Sequence, residues 1–323
     1  MKTILVVGGA GYIGSQVNKM LLEAGYNTLI LDNLSTGNRK NITGGLFIEG
    51  DMADTSLMEK IFREHPCDAV MHFAALIDVG ESVLNPAKYY TNNVVNTLNL
   101  LQTMLRHSVK KFIFSSSAAV YGIPEKSDQA IKEEQACNPI NPYGETKLIV
   151  EKILKDFQKA YGLEYCALRY FNAAGGDPQG MIKNHSAKQH NLIPVLLRSL
   201  RNPGSSLTIN GNDYSTRDGT CIRDYIHIED LGTAHIAALE RLQKGQPSTC
   251  YNLGNGNGFS ILEVIQAAEK VTGLKVKSTV GPRREGDPAI LIADSQKARK
   301  ALDWTPQYPH IETIIEHAWK ALQ

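Results

Sequence analysis

Tyr143 and Lys147 stand four residues apart in NPYGETK, where Pro142 suits the first turn of a helix running on through KLIVEKILKDF. On a helix that spacing puts both side chains on one face. A phenol ordinarily titrates near about 10, and an ammonium held beside it favours the phenolate, so the pair could act as a base toward a hydroxyl proton. Ser117 ends FSSS after the apolar run KFIF, and its hydroxyl could bond the reacting oxygen or relay its proton. A lone Tyr/Lys pair at this spacing is usual on a solvated helix face. Joined to a strand-ending serine, it reads as a catalytic set.

Gly8, Gly11 and Gly14 follow ILVV and open a helix near Ser15. The first suits a tight turn, the second a close approach of the backbone to a pyrophosphate, and the third close packing of helix on strand. The next strand, LILDN, ends in Asp32, about twenty residues on, where an acidic group binds ribose hydroxyls. Asp32 would repel a 2′-phosphate, so NAD is favoured over NADP; Arg39 and Lys40 nearby read as solvated loop residues. Asp51 in EGDM fits an adenine-amino contact, and a helix N-cap before ADTSLMEKIF accounts for it almost equally well. Phe73 in HFAA suits either a place beside the cofactor or one in the core.

The elements that must position these residues are legible as short β-branched runs alternating with helical patterns: TILVVGG, NTLILDN, LFIEGD, DAVMHFAA, KFIFSSS and EYCALRYFN. Nearly continuous apolar strands separated by helices predict an α/β fold, a doubly wound parallel (Rossmann) sheet covered on both faces. After Asn172 the chain becomes rich in Gly, Pro and loops. The expected division is an NAD-binding domain over residues 1–172 and a smaller α+β substrate lobe over 173–323, with 225–242 able to pack back on the first.

Composition narrows the partners. The 34 Lys and Arg nearly balance the 33 Asp and Glu, which removes the broad positive field that nucleic-acid binding requires. No apolar stretch approaches the ~20 residues of a membrane span, and the opening MKTILVVGGAGYIG reads as a buried strand rather than a signal peptide. Five scattered cysteines offer neither a CxxC pair nor a Cys/His cluster at zinc spacing, so no disulfide or metal is expected and a cytoplasmic setting is. A small-molecule substrate follows.

Taken together, GGAGYIGS, LDNLSTGN, EGDM, HFAA with VGES, YYTNNV, FSSSAAVYG, NPYGETK, RYFNAAG, DGTCIRDYIHIEDL, YNLGNGNGFSILEV and RREGD resemble the UDP-glucose 4-epimerase family of extended short-chain dehydrogenases over essentially the whole chain. The resemblance implies Tyr143 as base, Lys147 as the group that tunes it and holds the nicotinamide ribose, and Ser117 at the sugar 4-hydroxyl. It implies a cofactor site of Gly8, Gly11, Tyr12, Ile13, Gly14, Asp32, Asn33, Asp51, Met52, Phe73, Asn92, Tyr143, Lys147 and Tyr170. Around the UDP-sugar it implies Asn172, Asn191, Arg223, Tyr225, Arg284, Asp287 and Leu291, together with Ser117 and Tyr143. Guanidinium groups suit a pyrophosphate, which they can grip in bidentate fashion. The implied reaction is epimerisation at C4 through a transient 4-keto sugar, in a homodimer built on the helices of TNNVVNTLNLLQTMLRH and PYGETKLIVEKILKDF.

Three departures from the family pattern bear on this. Ile77 and Asp78 stand where some members have a cofactor lysine, and Asn210 where some have an aromatic against uracil. Leu291 replaces the tyrosine of hexose-restricted members; a smaller side chain there would admit an N-acetyl group, and an ordinary core position explains it equally well. Among rivals, a 4,6-dehydratase needs an Asp-Glu pair directly after the catalytic hydroxyl, and Ala118 and Ala119 stand there. A UDP-hexuronate 4-epimerase would use the same triad. A non-catalytic NAD sensor would usually have lost the Tyr/Lys pair.

Overall fold

The computed structural model describes residues 1–124, 129–183, 191–202, 204–284 and 286–323. Within the RREGD motif, Glu285 therefore lies outside the described residues. In chain order the first half runs β1 (Thr3–Val7), α1 (Tyr12–Glu23), β2 (Asn27–Asp32), β3 (Leu46–Glu49), α2 (Thr55–Glu64), β4 (Ala69–His72), α3 (Val79–Leu84), α4 (Pro86–Tyr89), α5 (Asn96–Arg106), β5 (Lys111–Ser117), α6 (Pro142–Tyr161) and β6 (Glu164–Tyr170). The rest comprises β7 (Asn172–Ala174), α7 (Leu192–Arg201), β8 (Leu207–Asn210), β9 (Ile222–Arg223), β10 (Tyr225–His227), α8 (Ile228–Gln243), β11 (Thr249–Leu253), β12 (Phe259–Ser260), α9 (Ile261–Thr272), β13 (Ser278–Gly281), β14 (Ile290–Leu291), α10 (Gln296–Leu302) and α11 (Ile311–Ala321).

Seven parallel strands form the central sheet in the order β11-β6-β5-β4-β1-β2-β3. Its inner strands are buried on both faces, which explains their unbroken apolar runs, while the edge strand β3 is partly exposed. One face packs Ile4, Val6, Ile113 and Leu168 against α1 and α8; the other packs Leu5, Val7, Phe112 and Phe114 against α2, α5 and α6. A third core, among α7, α9 and α11, belongs to the smaller lobe.

The boundary expected at residue 172 is crossed twice. Helix α8 lies in the first sheet's core through Leu231, Ala234, Ala238 and Leu242. Strand β11 pairs with β6, Tyr251 opposite Leu168, and completes the sheet from about eighty residues downstream. Among the described residues, no helix is long and apolar enough to cross a membrane.

Candidate active site

Strand β5 runs between β4 and β6 and ends with Ser117 opposite Tyr170, so the serine reaches the carboxyl edge of the sheet. Helix α6 begins at the same edge because Asn141 caps it, accepting a hydrogen bond from the Gly144 N–H at 2.9 Å, and Pro142 occupies the first turn. Tyr143 is thereby held within hydrogen-bonding reach of the Ser117 hydroxyl. One turn on, Lys147 is 3% exposed and donates to the Ser115 carbonyl at 2.8 Å, with its Nζ 5.9 Å from the Tyr143 ring centre. The three residues singled out by spacing therefore meet.

Their electrostatics differ from the simple expectation. Burial pushes the Tyr143 phenol above its ordinary value, and the Ser117 hydrogen bond draws it back. Burial likewise pushes Lys147 down to about 7 against the pull of Glu151. Removal from water disfavours each charged form, outweighing the Ser117 hydrogen bond at Tyr143 and the Glu151 charge at Lys147.

The glycine loop lies at the same carboxyl edge of the sheet, after β1, with β4 between β1 and β5. Gly8 has φ +81°, and a Cβ there would stand 2.5 Å from the Ala74 nitrogen; at Gly14 a Cβ would stand 2.2 Å from the Gly8 carbonyl. The backbone is folded so tightly that α1 starts directly above β1, and Gly11 caps it without a side-chain hydrogen bond. The first-turn N–H groups are thus left to an anion, which is the requirement of a dinucleotide pyrophosphate. Asp32 ends β2 with its carboxylate 8% exposed, accepting from the Ala10 N–H at 2.9 Å and the Leu34 N–H at 2.8 Å. Each oxygen retains lone-pair capacity for a ribose hydroxyl. These residues fit NAD.

Around them, Asn33 donates to Asp51 at 2.8 Å, and the other Asp51 oxygen accepts from the Ala53 N–H. Asp54, not Asp51, caps α2. Tyr12 donates to the Gly175 carbonyl at 2.7 Å, Ile13 packs on the sheet core, and Asn92 donates to Asn93 at 2.9 Å. Phe73 packs 4.9 Å from the His235 ring, centre to centre. Met52 and Tyr170 turn their side chains into the cores, Tyr170 bonding His235 at 2.8 Å.

In the smaller lobe, strand register gathers four of the substrate residues: Asn172 lies opposite Tyr225, and Arg223 opposite Leu291. The Arg223 guanidinium donates to Asp287 at 2.5 Å and to the Pro288 carbonyl at 2.8 Å. Leu291 is partly buried against Ala118, Val120, Tyr121 and Leu148. Asn191 precedes α7 and is exposed, as is Arg284. Asn210 pairs with Gly281 between β8 and β13, Ile77 is 61% exposed, and Asp78 caps α3.

Sequence reasoning missed a buried polar layer beneath Tyr143 and Lys147. Glu151 accepts from the Ser116 hydroxyl at 2.6 Å and from Arg169 at 3.0 and 2.5 Å; Arg169 also reaches the Tyr121 hydroxyl, which donates to Asn252 at 2.7 Å. The available signals were an arginine inside the apolar strand EYCALRY and a glutamate one turn after Lys147. Asp224, wholly buried, accepts from the N–H groups of Asn255, Gly256 and Ala293 and ties that loop to the segment after β14.

A doubly wound parallel sheet with a glycine loop, an acidic residue ending β2 and a Ser/Tyr/Lys set defines a nucleotide-dependent enzyme of the short-chain dehydrogenase class. Residues 4–254 match the model of the NAD dependent epimerase/dehydratase family, and the chain belongs to that family. A curated UDP-glucose 4-epimerase of Halalkalibacterium halodurans is 51% identical over 98% of this chain and 94% of its own length. The crystal structure of the UDP-glucose 4-epimerase of Brucella ovis in complex with NAD matches with a TM-score of 0.97 at 44% identity, over 100% of this chain and 98% of that one. The UDP-Glc/GlcNAc 4-epimerase of Campylobacter jejuni matches with a TM-score of 0.88 at 41% identity, over 99% of both chains.

Proposed function

We propose that this chain is an NAD-dependent UDP-glucose 4-epimerase, interconverting UDP-glucose and UDP-galactose. The observation that carries the reading is the gathering of Ser117, Tyr143 and Lys147 at the sheet edge that also bears the glycine loop, and full-length similarity to curated epimerases supports the substrate. NAD, when bound, accepts a hydride from sugar C4 and returns it, which makes the cycle redox-neutral. The N-terminus of α1 and the loop of Gly8, Gly11 and Gly14 would receive its pyrophosphate, Asp32 a ribose, and Lys147 the nicotinamide ribose. Tyr143 takes the 4-hydroxyl proton and gives it back, while Ser117 bonds the same oxygen. Arg223 and Arg284 would pair with the substrate pyrophosphate, with Asn172, Asn191, Tyr225 and Asp287 around the UDP-sugar. Ala118 and Ala119 supply no acid or base for dehydration.

A wider sugar range rests on Leu291, which lies next to Arg223 and against Ala118. Leucine there leaves room beside the sugar's 2-substituent, so UDP-N-acetylhexosamines are also substrates. The active form is a homodimer built on α5 and α6, and analytical ultracentrifugation at micromolar concentration tests it. The cysteines are free thiols, which suits a reducing cytoplasm, and cell fractionation tests that placement.

The deciding experiment incubates purified enzyme, without added NAD, with UDP-glucose, UDP-N-acetylglucosamine and UDP-glucuronate separately, and separates the products by chromatography. UDP-galactose from UDP-glucose is expected. Turnover of the uronate alone would overturn the reading.

A further inference from the structure

The three serines of FSSS serve three different groups. The Ser117 hydroxyl lies within hydrogen-bonding reach of Tyr143, the Ser115 carbonyl holds Lys147, and the Ser116 hydroxyl, 2% exposed, holds Glu151. Glu151 is 9% exposed, one helical turn from Lys147 on α6, and its second oxygen is gripped by Arg169. A buried Arg–Glu pair adds little net stability relative to apolar residues of the same volume, because desolvation offsets the attraction. Its placement one helical turn from the catalytic lysine, with both residues buried, calls for another account.

The surroundings of Lys147 narrow that account. From β4 it faces His72, which burial and Lys147 itself push down to about 3 and so keep neutral. From β5 it meets the Ser115 carbonyl and the Phe114 ring, and on its own helix Tyr143. On β6, Arg169 is paired with Glu151 and the Tyr170 hydroxyl is bonded to His235. Against the burial that disfavours the ammonium stand the Ser115 carbonyl, a neutral acceptor, and Glu151, which brings a full negative charge.

We propose that Glu151, clamped by Ser116 and Arg169, is a positioning residue whose fixed negative charge keeps Lys147 protonated beneath Tyr143. Glu151 need not touch substrate or cofactor. It acts through the lysine, so its removal moves the pH at which the lysine is lost rather than the chemistry itself. This rests on the Ser117/Tyr143/Lys147 reading, and the controls separate the two.

The test is the pH dependence of kcat for epimerisation in wild type, Glu151→Gln and Lys147→Met. Without the carboxylate the ammonium loses its support, so the alkaline limb of Glu151→Gln should begin roughly one pH unit lower, giving about tenfold less activity on that limb. On the acid side activity should stay within about threefold of wild type. Because Glu151→Gln strands the Arg169 cation, the double variant Glu151→Gln/Arg169→Gln removes both charges, and its alkaline limb should move in the same direction by less than in the single variant. A folded variant of either kind with lower Tm and an unmoved alkaline limb would overturn the proposal and leave Glu151 structural. Wild-type activity in Lys147→Met would instead overturn the catalytic reading beneath it.

Discussion

The Lys19 ammonium lies 2.6 Å from the Asp177 carboxylate, and the two side chains are 3% and 0% exposed. Lys19 belongs to the helix that begins at the glycine loop, and Asp177 to the segment leaving β7, so the pair fastens the cofactor half to the start of the smaller lobe. Burial pushes the Asp177 carboxyl up, but Lys19 and the N–H groups of Ile182 and Met181 outweigh it and hold the group below its ordinary value.

Lys19→Met should therefore lower stability by about 3–5 kcal/mol at neutral pH, since it leaves a buried carboxylate without its cation. The carboxylate's contribution is present above the ordinary carboxylate value and is lost as pH falls through the lower folded value. The gap between variant and wild type should accordingly narrow in acid. Urea denaturation at neutral pH and near pH 3.5 measures both; an equal gap at the two would contradict the assignment.

Tyr143→Phe removes the only phenol placed against Ser117 and should cut kcat by about 10²–10⁴-fold with the fold retained. A stopped assay following UDP-galactose formation, beside a thermal melt, reads the two effects apart.

Gly14→Ala inserts a methyl 2.2 Å from the Gly8 carbonyl, which no side-chain movement can relieve. The loop must open, so the variant should purify with little nucleotide, whereas wild type should release NAD on denaturation. Chromatography of the released nucleotide decides it.

Leu291→Tyr should abolish turnover of UDP-N-acetylglucosamine and spare UDP-glucose within a few-fold. Loss of both sugars together would place Leu291 in the core of Ala118 and Tyr121 rather than at the substrate.

Much of the site was legible in the sequence because its signals are local. Tyr143 and Lys147 share a helix, Asp32 and Ser117 end strands, and three glycines open α1; each fact needs only spacing. What spacing does not carry is pairing across the chain. Arg169 reads as a stray charge until β6 is set beside β5 and its guanidinium meets Glu151 and Tyr121. Leu253 ends a loop-rich segment with no sign that β11 docks on β6. The balance of burial against charge at Tyr143 also depends on three-dimensional surroundings, so a helical offset, which suggests a lowered phenol, does not carry the raised one found.

The late arrival of β11 imposes an order on how this protein can be made. Until Thr249–Leu253 has left the ribosome, β6 is a bare sheet edge of seven residues, open to any passing strand. The nucleotide-binding half thus cannot be completed until well into the synthesis of the substrate lobe, though before α9 and α11 emerge, and a chain cut after residue 172 would be an adhesive fragment rather than a smaller nucleotide-binding protein.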